Sequence, residues 1–320
     1  MQKVNCAVIG VGYLGKAHAE KFSKLENAKL IGVCDTDAKR SQEIANLFNT
    51  ASYTDFYDLL GKVSAVSIAA STTSHYKIAK AFLENNAHVL VEKPITATVA
   101  EAEELIALAK KNHLILQVGH IERFNPVFVK LHSIIKQPLL IESTRLAPFK
   151  LRGSDVNVVL DLMIHDIDLV QNLVNSPIKN IYANGSPVLS SKIDIASARI
   201  EFNCGCVANF TASRISAKPT RKLRVFQHHD YFTADLHNKI LAIHRKGSNE
   251  LFPGIPELIK EEFSFEQSDA LFDEISAFLE AIIKHEPPVI SGEDGKNALI
   301  TATEITRIAK ENLARIPIKD

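Results

Sequence analysis

The first 120 residues alternate short apolar runs with amphipathic stretches. The runs are Val4–Ile9, Lys29–Cys34, Val63–Ala70, Ala87–Val91 and Leu114–Val118. They are dense in Val, Ile and Ala and lack two-residue alternation, as strands covered on both faces do. Between them, Leu14–Leu25, Asp37–Phe48, Ser74–Asn85 and Thr98–Lys111 have helical spacing, and Thr98 with Glu101 has capping-box spacing. This alternation predicts βαβ units and a doubly wound parallel sheet. Beyond residue 120 the pattern changes. One strongly apolar helix, Asn157–Val174, precedes strand-like runs in series: Ile178–Ala183, Ile195–Phe202, Val207–Ala212, Leu223–Gln227 and Tyr231–Asp235. Asn203-Cys204-Gly205-Cys206 reads as a hairpin turn between two of them. Helices over Ser268–Lys284 and Asn297–Leu313 close the chain, separated by Glu286-Pro287-Pro288. The expectation is an α/β chain of two domains, residues 1–120 and 121–320. The second is an α+β domain with a mostly antiparallel sheet, and the last helix packs back on the first.

Composition narrows the function classes. At 320 residues the chain has the size of about two domains. Lys+Arg and Asp+Glu are both 37, and a formal net charge of +0 argues against a nucleic-acid or anionic-membrane binder. No apolar run reaches the 18 or so residues of a membrane span. The four cysteines form no disulfide framework, and Cys204 and Cys206 lack a second Cys/His pair at ligand spacing, so no metal is expected. Lys3, Val4–Leu14 and Ala17-His18-Ala19 imitate a signal peptide, but Asn5 and three glycines interrupt the apolar stretch. A cytoplasmic protein with reduced thiols is expected.

The chemistry starts at Gly10-Val11-Gly12-Tyr13-Leu14-Gly15, which follows the first strand and opens the first helix. In that context a GxGxxG string is a dinucleotide-binding (Rossmann) fingerprint: a tight turn, close approach of backbone to a pyrophosphate, and tight helix–strand packing. Asp35 ends the second strand 20 residues past Gly15, where a carboxylate accepts hydrogen bonds from a ribose diol. It would repel a 2′-phosphate, which favours NAD; Arg40 nearby keeps NADP as the lesser alternative. The other strand ends should line the same crevice. Ala70-Ser71-Thr72-Thr73-Ser74-His75 offers Thr72 and His75 either to cofactor ribose and phosphate or to plain helix capping. Glu92-Lys93-Pro94 places a lysine at the crevice, and Gln117 ends the last strand facing cofactor or substrate.

The helix Asn157–Val174 is apolar nearly all round. Its polar residues Asn157, Asp161, His165, Asp168 and Asn172 fall within an arc of about 80°, and Asp166 alone points elsewhere. Such a stripe faces a cleft or another polar surface, because buried charges must be paired, or else simply solvent or a subunit partner. Asp161 and His165 are one turn apart, so a carboxylate can orient an imidazole as a general base needs.

These residues resemble the glucose–fructose oxidoreductase/inositol dehydrogenase (Gfo/Idh/MocA) family over essentially the whole chain, through Gly10-x-Gly12-x-x-Gly15, Asp35, Glu92-Lys93-Pro94 and Asp161-x-x-x-His165. The resemblance implies a Rossmann domain followed by a domain with an open mixed sheet, whose outer face forms homodimers or homotetramers. It also implies a cis Lys93–Pro94 peptide and a catalytic set of Lys93, Asp161 and His165. Ser71-Thr72-Thr73-Ser74-His75 departs from the Thr-Pro-Asn-x-x-His of many members but keeps His75. The cofactor-binding set expected is Gly10, Gly12, Tyr13, Leu14, Gly15, Asp35, Thr72, His75, Glu92, Lys93 and Gln117.

Two further segments, Val118-Gly119-His120-Ile121-Glu122-Arg123-Phe124-Asn125-Pro126 and Arg221-Lys222-Leu223-Arg224-Val225-Phe226-Gln227, are similar to the branch that oxidises UDP-N-acetylglucosamine at C3 in lipopolysaccharide and surface-sugar pathways. The cations Arg123, Arg145, Lys150, Arg152, Arg214 and Arg221 fit a diphosphate, or else are surface charges. The substrate-binding residues expected are Arg123, Asn125, Arg152, Asp168, Arg214 and Arg221. The reading is an NAD-dependent dehydrogenase of a UDP-N-acetylhexosamine in which His165 is the base, Lys93 donates to the reacting oxygen and Asp161 holds His165. A dehydrogenase of a free polyol or sugar such as inositol is the alternative, and a non-catalytic NAD sensor is the second.

Overall fold

The computed structural model describes residues 3–149, 156–265 and 268–315. The chain divides into two compact units, Met1–Ile121 with Asp269–Leu299, and Glu122–Ser268 with Ile300–Asp320. In the first unit β1 (Val4–Ile9), α1 (Tyr13–Lys24), β2 (Ala28–Cys34), α2 (Ala38–Phe48), β3 (Ala51–Tyr53), β4 (Ala65–Ile68), α3 (Thr72–Glu84), β5 (His88–Glu92), α4 (Val99–Lys111) and β6 (Leu116–Gly119) follow in turn. The strands lie in the order β3-β2-β1-β4-β5-β6, all parallel. Chain order reverses between β1 and β4, which opens a crevice at the carboxyl ends of those strands. Helix starts are set by side chains: Asp37 accepts from the amides of Lys39 and Arg40, and Thr98 with Glu101 forms the capping box. Only β3 has no apolar run to announce it. It is three residues long, and it is held by pairing to Gly32–Cys34 and by the Ser41 hydroxyl on the Tyr53 carbonyl at 2.8 Å.

The second unit contains α5 (Pro126–Ile134), β7 (Leu140–Leu146), a π-helical turn (Val159–Met163) running into α6 (Ile164–Val174), and the strands β8 (Ile178–Ser186), β9 (Ile195–Phe202), β10 (Val207–Ser213), β11 (Thr220–Gln227), β12 (Asp230–Asp235), β13 (Ile240–Phe252) and β14 (Ile255–Ser264). The sheet order is β14-β13-β12-β11-β7-β10-β9-β8. Only the β7–β10 pair is parallel; the others are antiparallel, so the sheet is open and mixed. Gly205 takes φ +90° in the turn between β9 and β10. Along β9, Ala196, Ala198, Ile200 and Phe202 are buried and alternate with more exposed positions, the mark of a sheet with one packed face. No helix among the described residues is long and apolar enough to cross a membrane.

Two amphipathic helices close the chain, α7 (Ala270–Lys284) and α8 (Gly292–Ala314). Residues 269–299 group with the first unit rather than the second, and α8 is divided between the units at Leu299 and Ile300. The cause is the apolar face of α7: Leu271, Ile275, Phe278, Leu279 and Ile282 join Phe22, Leu25 and Val4 in one core. Periodicity shows that a helix has an apolar face, not what that face will cover. The last helix begins at Gly292 instead of Asn297 because Ser291 and Asp294 cap it reciprocally, amide to side chain at 2.8 and 3.2 Å.

Candidate active site

The glycine loop joins β1 to α1, and its three glycines answer three different constraints. Gly10 has φ +80°, and a Cβ there would meet the Ala70 backbone at 2.7 Å. A Cβ on Gly15 would lie 1.8 Å from the Gly10 carbonyl oxygen. The fold itself therefore requires both. A Cβ on Gly12 would meet nothing within 4 Å, so the chain does not demand glycine at that position. Gly12 is also the N-cap of α1, with no side-chain cap and no acidic residue in the first turn. Open space in front of an uncapped helix N-terminus fits a dinucleotide pyrophosphate. Tyr13 is exposed and Leu14 half-buried beside it. Asp35 accepts the Val11 amide at 2.9 Å and the Asp37 amide at 3.0 Å, so the carboxylate at the end of β2 is fixed against the loop. Arg40 donates Nε to the Val11 carbonyl at 2.9 Å.

The next strand ends are less simple. Ser71 is the N-cap of α3, but its hydroxyl bonds the hydroxyls of Thr73 and Ser74 rather than backbone amides. Thr72 is half-buried at the helix start. His75 is buried, with Nδ1 2.9 Å from the Pro94 carbonyl oxygen and Nε2 3.1 Å from that of Ala70. Its ring therefore ties two strand-end loops together. Burial lowers its pKa despite those two carbonyls. Lys93 is half-buried and precedes Pro94 through a cis peptide.

Glu92 and Gln117, both expected at the cofactor, point into the first unit instead. The Glu92 carboxylate meets His18 Nε2 at 3.1 Å and accepts the Lys93 amide at 3.2 Å. Gln117 is fully buried and donates Nε2 to the Glu274 carbonyl at 3.2 Å. The strand-end position was legible, but β-strand alternation turns these two side chains away from the open side. Beneath them lies a carboxyl pair that sequence reasoning missed. Burial and the neighbouring Glu92 push the Glu274 carboxyl well above its ordinary range. Burial acts the same way on Glu92, but His18 and the Lys93 ammonium outweigh it and hold Glu92 low. The environment thus separates the two acids, holding Glu274 high and Glu92 low.

In the second unit Asn157 Oδ1 accepts the amides of Val159 and Leu160 at 2.9 and 3.1 Å and starts the helix. Asp161 and His165 lie on its half-exposed face, whereas Val158, Val159, Met163 and Ile164 are buried. Further along the stripe Asn172 is half-exposed, but Asp168, expected at the substrate, is not open to a cleft. Asp168 is buried and takes both Nε and Nη2 of Arg123, at 2.8 and 2.6 Å. Asp166 is buried as well, on Arg145 at 3.0 and 2.7 Å. The π turn widens the helix at its start, and a helical wheel cannot distinguish a solvent-facing acid from one met by a buried arginine.

Most of the cations expected to hold a diphosphate are engaged with the unit's own acids. Arg145 also donates to Glu122 at 2.9 Å. Arg214 holds Asp194 at 2.8 Å and the Val156 carbonyl at 2.7 Å, which braces the approach to the Asp161 helix. Asn125 is buried as the N-cap of α5 and donates to Glu122 and the Leu236 carbonyl. Arg221 reaches Glu122 at 3.1 Å and keeps a half-exposed side chain. Arg152 and Lys150 lie outside the described residues.

The chain has known relatives. Residues 4–120 match the family described as "Oxidoreductase family, NAD-binding Rossmann fold", and residues 140–230 match the GFO/IDH/MocA C-terminal domain. A UDP-N-acetylglucosamine 3-dehydrogenase of Acidithiobacillus ferrooxidans is 37% identical over 97% of this chain and 98% of its own length. A solved structure of an enzyme of that name from the same species superposes with a TM-score of 0.93 at 36% identity, covering 98% of this chain and 100% of that one. A myo-inositol 2-dehydrogenase of Thermotoga maritima is 27% identical over 92% of each chain. With its glycine loop, Glu-Lys-Pro turn and Asp–His helix in place, this chain belongs to the Gfo/Idh/MocA family of NAD-binding oxidoreductases.

Proposed function

We propose that this protein oxidises C3 of a UDP-N-acetylhexosamine, with NAD preferred over NADP, in the cytoplasm and in the service of lipopolysaccharide or surface-sugar synthesis. The observation that carries the substrate is the 37% identity, end to end, with an enzyme named for UDP-N-acetylglucosamine, against 27% with one named for myo-inositol. The dinucleotide would lie on Gly12 and the α1 N-terminus, with its ribose on Asp35; when bound, its nicotinamide supplies the hydride acceptor. His165 takes the proton of the sugar hydroxyl, and Asp161 orients the ring and stabilises its charged form. Lys93 donates a hydrogen bond to the oxygen as it gains carbonyl character. Arg221, with its half-exposed guanidinium, is the candidate for the diphosphate.

NADH absorbance tests this. UDP-N-acetylglucosamine with NAD should support turnover, with kcat/KM at least about tenfold above that with inositol or glucose, or with NADP, a difference of about 1.4 kcal/mol. Turnover on inositol and none on the nucleotide sugar would move the substrate to the polyol class.

We also infer that the open face of the eight-stranded sheet receives a second copy of the chain. Tyr231 stacks on His244 at 4.1 Å and on Phe226 at 5.6 Å across that face. The β13–β14 hairpin carries Leu251, Phe252, Ile255, Leu258 and Ile259, all exposed. Exposed apolar side chains grouped on one hairpin are the kind of surface a partner covers. Sedimentation velocity should give a dimer or tetramer at micromolar concentration, and Phe252→Asp should shift it toward monomer. A monomeric wild type would overturn the inference.

A further inference from the structure

The buried polar groups under the Glu-Lys-Pro turn form a continuous line. Ser67 Oγ is 2.7 Å from His18 Nδ1, His18 Nε2 is 3.1 Å from Glu92 Oε1, and Glu92 Oε2 accepts the Lys93 amide at 3.2 Å. On the far side His75 engages the Pro94 carbonyl. Ser67, His18 and His75 are all but fully buried, and Glu92 is 8% exposed. With Glu92 ionised, His18 Nε2–H donates to it. The strands around it are mostly apolar, with Gln117 and Glu274 the other buried polar groups close by, and a pair of hydrophobic residues would fill the same space without removing a carboxylate from water. Keeping the charge has one evident structural consequence: it fixes the main chain at Lys93. His18 stands one turn past Gly15 on α1, so the same line joins the helix behind the phosphate loop to the lysine.

We propose that His18 is a positioning residue that sets the main chain of Lys93 through Glu92, with His75 holding the other side of the turn. The inference rests on the reading of Lys93 as donor to the substrate oxygen. A lysine whose root wanders by an ångström loses most of its value as a donor. His18 is conspicuous neither by motif nor by exposure. Its importance lies in what its two nitrogens touch.

Three replacements test this. His18→Leu removes both contacts. His18→Gln keeps a donor near the Nε2 position. His18→Asn can reach Ser67 but is too short for Glu92, and covers the case in which leucine does not fold. The readouts are hydrogen exchange of the Lys93 amide, NADH affinity by fluorescence, and kcat and KM with UDP-N-acetylglucosamine. Leucine and asparagine should speed Lys93 exchange and lower kcat by about tenfold or more, while KM and NADH affinity stay within about threefold; glutamine should restore both.

Unchanged Lys93 exchange in the leucine or asparagine variant would overturn the proposal. So would a glutamine variant as impaired as leucine with NADH binding also lost, since that marks a purely structural role. The exchange measurement decides even without turnover on the chosen sugar. Lys93→Met separates the two claims: if it turns over normally, the role of Lys93 fails while the exchange result stands.

Discussion

Replacing His165 by asparagine lowers turnover by about a hundredfold or more and leaves NADH affinity within about threefold. Asparagine keeps the polarity and approximate size of the imidazole but cannot take a proton at neutral pH, and a positioned general base contributes about 10²–10⁴ in rate. The split between the two readouts follows from where the groups sit. His165 lies on the half-exposed face of a helix in the second unit, whereas Gly12, Asp35 and the α1 N-terminus belong to the first. Steady-state rates with whichever sugar supports wild-type turnover, together with NADH fluorescence titration, measure both. Turnover within threefold of wild type would remove His165 as the base. Loss of NADH affinity along with rate would instead mean that the fold had been damaged.

The first unit was legible because its signals are local. Glycines at fixed spacing, an acid after the second strand, and apolar runs between capped helices each follow from backbone geometry over a few residues. Glu92-Lys93-Pro94 and Asp161-x-x-x-His165 were visible as motifs for the same reason. What the sequence hid is what long-range packing decides. Gln117 and Glu92 sit at strand ends as expected, yet both point inward, because a one-residue step along a strand reverses the face. Arg123, Arg145 and Arg214 look like a diphosphate site in the sequence, but each finds an acid of its own unit 20 or more positions away. The strand β7 was hidden because it turns Ser143 and Arg145 inward, and β14 because it is mostly exposed and mixes Glu257, Lys260, Glu261 and Glu262 with its apolar positions; β13 opens on the short buried run Leu241, Ala242 and Ile243, which the sequence reading passed over. Main-chain pairing makes them strands, and composition does not record it.

The Arg145 cluster should give the largest stability effect of a single replacement. Arg145 bridges Glu122 and Asp166, and all three side chains are at most 6% exposed. Arg145→Met removes the cation and leaves two buried carboxylates, for which about 3–5 kcal/mol is expected. For a chain of this size that lowers the melting temperature by roughly 10 °C. The loss should depend on pH in a definite direction. Burial alone would raise the Glu122 pKa, but Arg145 and Arg221 override it and hold it below its ordinary 4.5. A carboxyl held low in the folded state contributes stability above the unfolded pKa and loses it as pH falls through the folded one. In Arg145→Met that carboxyl gives up its nearer cation and protonates more readily. The gap between variant and wild type should therefore be widest near neutrality and narrow below about pH 5. Adding Glu122→Gln and Asp166→Asn to Arg145→Met should recover much of the loss at pH 7, because breaking a buried ion cluster costs more than replacing all of it. Thermal melts at pH 7 and pH 4.5 measure this. A pH-independent gap, or a triple variant no more stable than the single, would show that Arg145 acts through packing of its stem rather than through its charge.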